Sequence, residues 1–140
     1  MTWRLITDYL RANPLFHSQP RYDFVLVAAQ KPFFGQLLYV FSCRVNETDY
    51  HIALIQPYEV LERRSRPLVD KQLGLLRVHR ADSRKTEFIS LRSVIRGALV
   101  VTAELDAPND RFVVDVVDED MFLRVKELFP GYTATPEPVF

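Results

Sequence analysis

The sequence predicts a mainly β (α+β) fold, a small curved antiparallel sheet or barrel with flanking N- and C-terminal helices. Three observations predict it. About six short runs rich in β-branched and aromatic residues follow one another at hairpin-like spacing. Helical periodicity is confined to the two ends of the chain. Helices do not alternate with the strands, as a parallel α/β fold would require. With 140 residues, 48% hydrophobic and 12% aromatic, the chain fits one domain with an ample core. That domain is expected over residues 1–132. Residues 133–140 read as a C-terminal tail, with prolines, no periodicity and a terminal position.

Each element has its own signal. Over residues 2–12, Trp3, Ile6 and Leu10 recur at helical spacing with Leu5 and Tyr9 beside them, and Asn13-Pro14 closes an amphipathic helix. Residues 21–28 read as a strand, Tyr22, Phe24 and Leu26 alternating with Asp23, Val25 and Val27, until Gln30-Lys31-Pro32 interrupts it. Residues 34–44 and 50–57, separated by Asn46-Glu47-Thr48-Asp49, form a hairpin. Residues 59–71 are charged and carry Pro67, which predicts an exposed loop before a strand resumes at 73–79 and the chain turns again at 80–85. Residues 88–101 predict two short strands joined by a compact turn around Ser93 to Gly97. A β-branched strand at 112–117 precedes a helix at 118–129, with Asp118 as its N-cap and acidic residues in its first turn. Met121, Phe122, Val125, Leu128 and Phe129 are placed on one face of that helix, docked on the sheet, and Pro130-Gly131 stops it.

Composition excludes several classes of function. Eighteen basic and eighteen acidic side chains cancel, so no global field draws the chain to nucleic acid or to an anionic membrane. One cysteine, Cys43, cannot build an internal disulfide framework and suits a reducing compartment. No apolar run approaches a membrane span, and Arg4 and Asp8 interrupt the place of a signal peptide, which predicts an intracellular, soluble protein. Asn46-Glu47-Thr48 matches a glycosylation sequon but reads as a polar turn in that setting. Four scattered glycines, Gly35, Gly74, Gly97 and Gly131, cannot make the Gly-rich turn of a phosphate or dinucleotide site.

The chemistry-bearing residues give no catalytic, cofactor or metal assignment. Asp115, Asp118, Glu119 and Asp120 could converge on a divalent cation, as in a metal-dependent enzyme, but capping and the helix dipole already account for the last three. His17, His51 and His79 are too dispersed for ligand spacing. Cys43 would need a base such as His51 across the hairpin to act as a nucleophile, and it reads instead as a small buried residue. Ser90 and Ser93 lack the Gly-x-Ser-x-Gly elbow. Basic residues gather at Arg63, Arg64 and Arg66 and at Arg77, His79, Arg80, Arg84 and Lys85, with Arg92 and Arg96 beyond. Brought together they would form a phosphate-binding or partner-binding face; otherwise they are a solvated surface balanced by Glu59, Glu62, Asp70 and Asp82.

The order of the strands resembles the bromo-adjacent homology (BAH) module, a β-rich chromatin-associated domain. Tyr22-Asp-Phe-Val-Leu-Val27 is similar to its opening D-x-V strand, and Phe34-Gly-Gln-Leu-Leu-Tyr-Val-Phe41 to the strand that follows. Ile52-Ala-Leu-Ile-Gln-Pro-Tyr58 stands in the place of its W-[FY]-x-R-P strand, with Ile55 where an aromatic is common and Gln56 where an arginine precedes the proline. Residues 73–79 and 87–101 take the places of its next two segments, with Leu91, Ser93, Val94, Ile95, Gly97 and Val100 as the best individual matches. The chain also resembles transposon-associated proteins of mushroom-forming fungi through Asn13-Pro14, Arg21-Tyr-Asp23 and residues 114–124. The first resemblance implies a non-enzymatic interaction module with a protein or chromatin partner, inside the cell or in its nucleus. The second resemblance carries no known activity; the alternative reading, a nucleic-acid-binding accessory domain of a mobile-element protein, rests on the basic residues from Arg63 to Lys85.

Overall fold

The computed structural model describes residues 10–16, 19–60, 75–81, 85–104, 107–115 and 119–129. In chain order the strands are β1 (Ala12–Phe16), β2 (Gln19–Tyr22), β3 (Phe24–Val27), β4 (Phe33–Val45), β5 (Thr48–Val60), β6 (Leu76–Arg80), β7 (Glu87–Ser90), β8 (Val94–Ala98), β9 (Val100–Glu104) and β10 (Ala107–Val113). Helix α1 (Glu119–Leu128) follows. β1 and β2 pair with each other. The other eight strands form an antiparallel sheet in the order β8-β3-β4-β5-β6-β10-β9, with β7 added on β5.

The sheet is not closed into a barrel, because β8 and β9 at the ends of this order do not pair. They are nevertheless consecutive in the chain, with only Leu99 between them. One bent segment thus serves both ends, which makes the sheet curl. The Val114 amide secures the bend by donating to the Leu99 carbonyl at 2.8 Å.

Curling leaves two apolar layers, one on each face. Phe24-Val-Leu-Val27 is buried throughout and supplies both, as a strand covered on two sides must. Phe24 and Leu26 join Phe34, Tyr58, Leu76, Val78 and Val113 beneath the helix, where Phe34 stacks on Phe129 at 5.7 Å and Phe24 meets Tyr58 edge-on at 5.0 Å. Val25 and Val27 join Leu37, Ala53 and Ile55 on the other face, covered in part by Ala12, Ile89, Leu91 and Val94. Helix α1 buries Met121 and Val125, Phe129 just past its end continues the same four-residue spacing, and Glu119 and Asp120 complement its positive N-terminal end.

Several expectations change. Of the two flanking helices, the described residues hold only the C-terminal one. Residues 1–9 lie outside them, while Ala12 and Asn13-Pro14 belong to β1, where a two-stranded ribbon tolerates a proline that lacks a donor. The strand expected at 21–28 is broken at Asp23. Its main chain exchanges bonds with Arg11 and Leu37, and its carboxylate accepts from the Arg11 amide at 2.8 Å, so β2 ends and β3 begins there. The turn expected around Ser93 to Gly97 is a 3-10 turn at Leu91–Ser93, and β8 occupies most of the expected span. β7 and β8 do not form a hairpin, since β7 pairs with β5 and β8 with β3. Phe122 is 42% exposed, so the docked face of α1 is narrower than expected. Asp118 and residues 61–74 lie outside the described residues.

Candidate functional site: an uncharged aromatic face on the long hairpin

β4 and β5 are thirteen residues each, longer than the sheet and helix that cover them. Asn46 and Glu47, with φ of 49° and 65°, close the two-residue turn between them, the backbone that matches strand twist. At the other end a bulge between Leu37 and Tyr39 shifts the register, so Leu37 faces Ile55 in the core and Tyr39 faces Leu54 outside it. Beyond the bulge, alternation sorts the residues cleanly. Tyr39, Phe41 and Cys43 lie opposite Leu54, Ile52 and Tyr50, with Phe88 of β7 opposite Leu54. Among the described residues no charged residue of β4, β5 or β7 stands on this face. Tyr39 is 60%, Tyr50 50% and Phe88 68% exposed, and Phe41 bridges the group, stacked on Tyr39 at 5.8 Å and edge-on to Phe88 at 6.1 Å. Large aromatics so exposed and so closely grouped make this face the candidate interaction surface.

The opposite face of the outer hairpin is polar. Ser42 Oγ and His51 Nδ1 are 2.8 Å apart, and Arg44 pairs with Asp49 at 3.3 Å. The register therefore places His51 across from Ser42 and on the other side of the sheet from Cys43, which lies opposite Tyr50. A Cys43–His51 dyad does not form. The Ser42–His51 pair sits on an exposed strand surface, and neither of two cavities, of about 220 and 320 Å³, is lined by it. An acyl-transfer site would need an enclosing cavity and oxyanion donors there.

Of the basic residues expected to form one face, only Arg77, Arg80 and Lys85 of the seven first named are among the described residues. Arg63, Arg64, Arg66 and Arg84 lie outside the described residues. Arg77 is 3% exposed, donates from Nη1 to Asp110 at 2.9 Å and stacks over Phe112 at 4.7 Å, so it is an internal strut. His79 completes the group by meeting the other Asp110 oxygen through Nδ1. Burial opposes ionisation of Asp110, but the hydrogen bonds and charges of His79 and Arg77 outweigh it and hold the carboxyl below its ordinary 3.8. Arg80 is half-buried, three residues from Arg77 and hence on the other face of β6, and its Nε has no partner among the described residues. Lys85 is exposed just before β7.

Of the acidic cluster, Asp120 is committed to structure and Asp118 lies outside the described residues. Asp120 accepts from Arg124 and Arg96, each at 2.8 Å, tying α1 to β8, and these bonds hold its carboxyl below 3.8. Asp115 stands apart, its carboxyl raised by burial. Among the described residues no three His, Cys, Asp or Glu side chains group as metal ligands, and no helix is long and apolar enough to cross a membrane. Gln56, where the BAH resemblance would put an arginine, is buried and donates to the Ala81 and Pro57 carbonyls at 3.2 and 3.3 Å.

No protein-family model, curated protein or solved structure matches this chain. The aromatic face was missed by motif reasoning. Its signal was the alternation Tyr39, Phe41, Cys43 against Tyr50, Ile52, Leu54, which has the form of an ordinary core-facing pattern.

Proposed function

We propose that the protein is a non-enzymatic, BAH-like interaction module whose partner, a chromatin protein, docks on the uncharged aromatic face of β4, β5 and β7. The observation that carries this reading is the pair of exposed rings Tyr39 and Phe88, joined by the half-buried Phe41, on a face without charge among the described residues. The stretches that carry the BAH resemblance fall in order on β3, β4, β5, β6 and the β7–β8 segment, which supports the same reading. An intracellular, nuclear location goes with it. A second reading, the nucleic-acid-binding accessory domain, draws on Lys85 and Arg92, which are exposed on either side of Phe88 and have no ion pair among the described residues. An aromatic between two cations could stack a base and hold its phosphates.

Binding of nucleosomes, histone-tail peptides and bare duplex or single-stranded DNA, each at two salt concentrations, separates the readings. The BAH-like reading expects nucleosome or tail binding with weak salt dependence, reduced about tenfold or more when Tyr39 and Phe88 are both replaced by serine. Binding of bare DNA that weakens steeply with salt, with no preference for nucleosomes, would transfer the conclusion to nucleic acid. If nucleosomes and tails do not bind, or bind the double variant equally well, the aromatic face is not the docking surface.

A further inference from the structure

Beyond the stretch paired with β3, the outer edge of β4 has no paired strand among the described residues, although β1 and β2 approach β4. β3 pairs with β4 only from Phe33 to Gln36, and among the described residues no strand pairs with the β4 edge over residues 38–45. The two-residue turn fixes which main-chain groups that edge presents. Val45 and Thr48 flank the turn and exchange their bonds with each other, so N–H and C=O of alternate residues, Arg44, Ser42 and Val40, point away from β5. An unsatisfied row of this kind is a template for another strand, and proteins usually guard it with lysine, proline or an inward charge. Here the guards are the bulge at its base and Arg44 at its far end.

We propose that this edge pairs antiparallel with the same edge of a second copy of the chain, centred on Ser42. In that register Val40 meets Arg44 of the second copy, Ser42 meets Ser42, and Arg44 meets Val40, so all three outward residues on each side are satisfied. A shift of two residues either way leaves one of them facing the bulge or the turn. The same register sets Tyr39 against Val45, residues 60% and 50% exposed in the single chain, and Phe41 against Cys43. The aromatic faces of the two copies then run together. Charge also fits a copy of itself. Arg44 is the only charged residue on the edge, its guanidinium is answered by Asp49 at 3.3 Å within its own chain, and in this register it meets a valine. A chain with net charge zero sets up no long-range repulsion between copies.

The proposal goes beyond the docking reading, and a variant separates the two. Ser42→Pro removes an outward N–H that has no role in the β4–β5 ladder, so it leaves Tyr39 and Phe88 in place while breaking the centre of the joint. Sedimentation of the full chain over a concentration series should show a dimer whose dissociation constant rises about tenfold or more in Ser42→Pro, the effect of losing its symmetric central hydrogen bonds. Should proline disturb the hairpin, cross-linking decides. Ser42→Cys in a Cys43→Ser background should form a disulfide-linked dimer under mild oxidation, because directly opposed residues lie about 5.5 Å apart at Cα, within disulfide reach. His51→Cys in the same background, one strand removed from the joint, should not. A wild type that stays monomeric throughout the series, or a dimer whose position 42 does not cross-link, overturns the proposal.

Discussion

At its base the β4–β5 hairpin is covered on both sides. Phe34 and Tyr58 lie under the helix, and Leu37 and Ile55 are sealed in the second layer. A few residues further out the same two strands carry Tyr39 and Tyr50 half or more exposed, and neighbouring β7 carries Phe88 at 68%. The residue types hardly differ between the two halves. What differs is cover: α1 ends its contact with the sheet at the base, and the bulge after Leu37 turns the next apolar row toward solvent. Hydrophobicity alone therefore does not distinguish a core residue from an exposed one, and only the reach of the covering elements does.

The largest expected effect tests that contrast directly. Phe34 is fully buried and stacked on Phe129, so Phe34→Ala should cost about 3 to 5 kcal/mol in the denaturant midpoint. Phe88→Ala removes the same ring from a site 68% exposed and should cost less than about 0.5 kcal/mol. Similar losses at the two positions would mean that the outer face is covered after all, and the distinction between the two halves would disappear.

A smaller effect probes how tightly the base is packed. Gly35 lies on β4 between Val25 of β3 and Pro57 of β5, and a Cβ added there would stand 2.9 Å from Ile55 Cδ1. Ile55 is fully buried among Val25, Leu37 and Ala53, so its side chain has little room to give way. Gly35→Ala should destabilise by about 1 to 3 kcal/mol. Ile55→Val removes the offending methyl, so the double variant should be more stable than the sum of the two single losses. Strict additivity in that cycle would show that the close approach is not the cause.

How much of this was legible in the sequence depends on whether the signal was local. The long hairpin, the strand at β6 and the C-terminal helix were readable, because period-two alternation, a polar turn and an acidic helix start are carried by neighbouring residues. The pairing partners of β7 and β8 were not. Residues 88–101 look like a hairpin, and only the tertiary fold shows that the 3-10 turn sends the two strands to different neighbours. Arg77 was read as a surface cation because arginine usually is one; its burial depends on Asp110 and Phe112, both more than thirty residues away. The aromatic face had the opposite problem. Its alternation was visible but indistinguishable from a core pattern, since the bulge that sends Tyr39 outward has no sequence mark as strong as a glycine or proline.

The smallest expected effect concerns acid, and it should fall on the base alone. The base is tied by two carboxylates, Asp110 between Arg77 and His79 on β6 and β10, and Asp120 between Arg96 of β8 and Arg124 of α1. Both carboxyls are held below 3.8 in the folded chain, so their stabilising contribution is fully present above that value and is lost as pH falls through the lower folded values. Asp115 works the other way: burial raises its carboxyl, so protonation favours the fold, and stability is regained as pH falls through that raised value. The unfolding midpoint of the wild type should therefore decline once pH drops below about 4, where the same two carboxyls begin to accept protons in the unfolded chain while the folded chain still holds them ionised. Asp110→Asn should start lower at neutral pH and decline less steeply, while Asp115→Asn should steepen the fall by removing the opposing group. The uncharged face of the outer hairpin contributes no carboxylate to this balance. Tyrosine and Phe88 signals from that face should hold until the base melts and then change with it. A change in those signals at a higher pH than the base would show that the outer hairpin has an acid-labile support of its own.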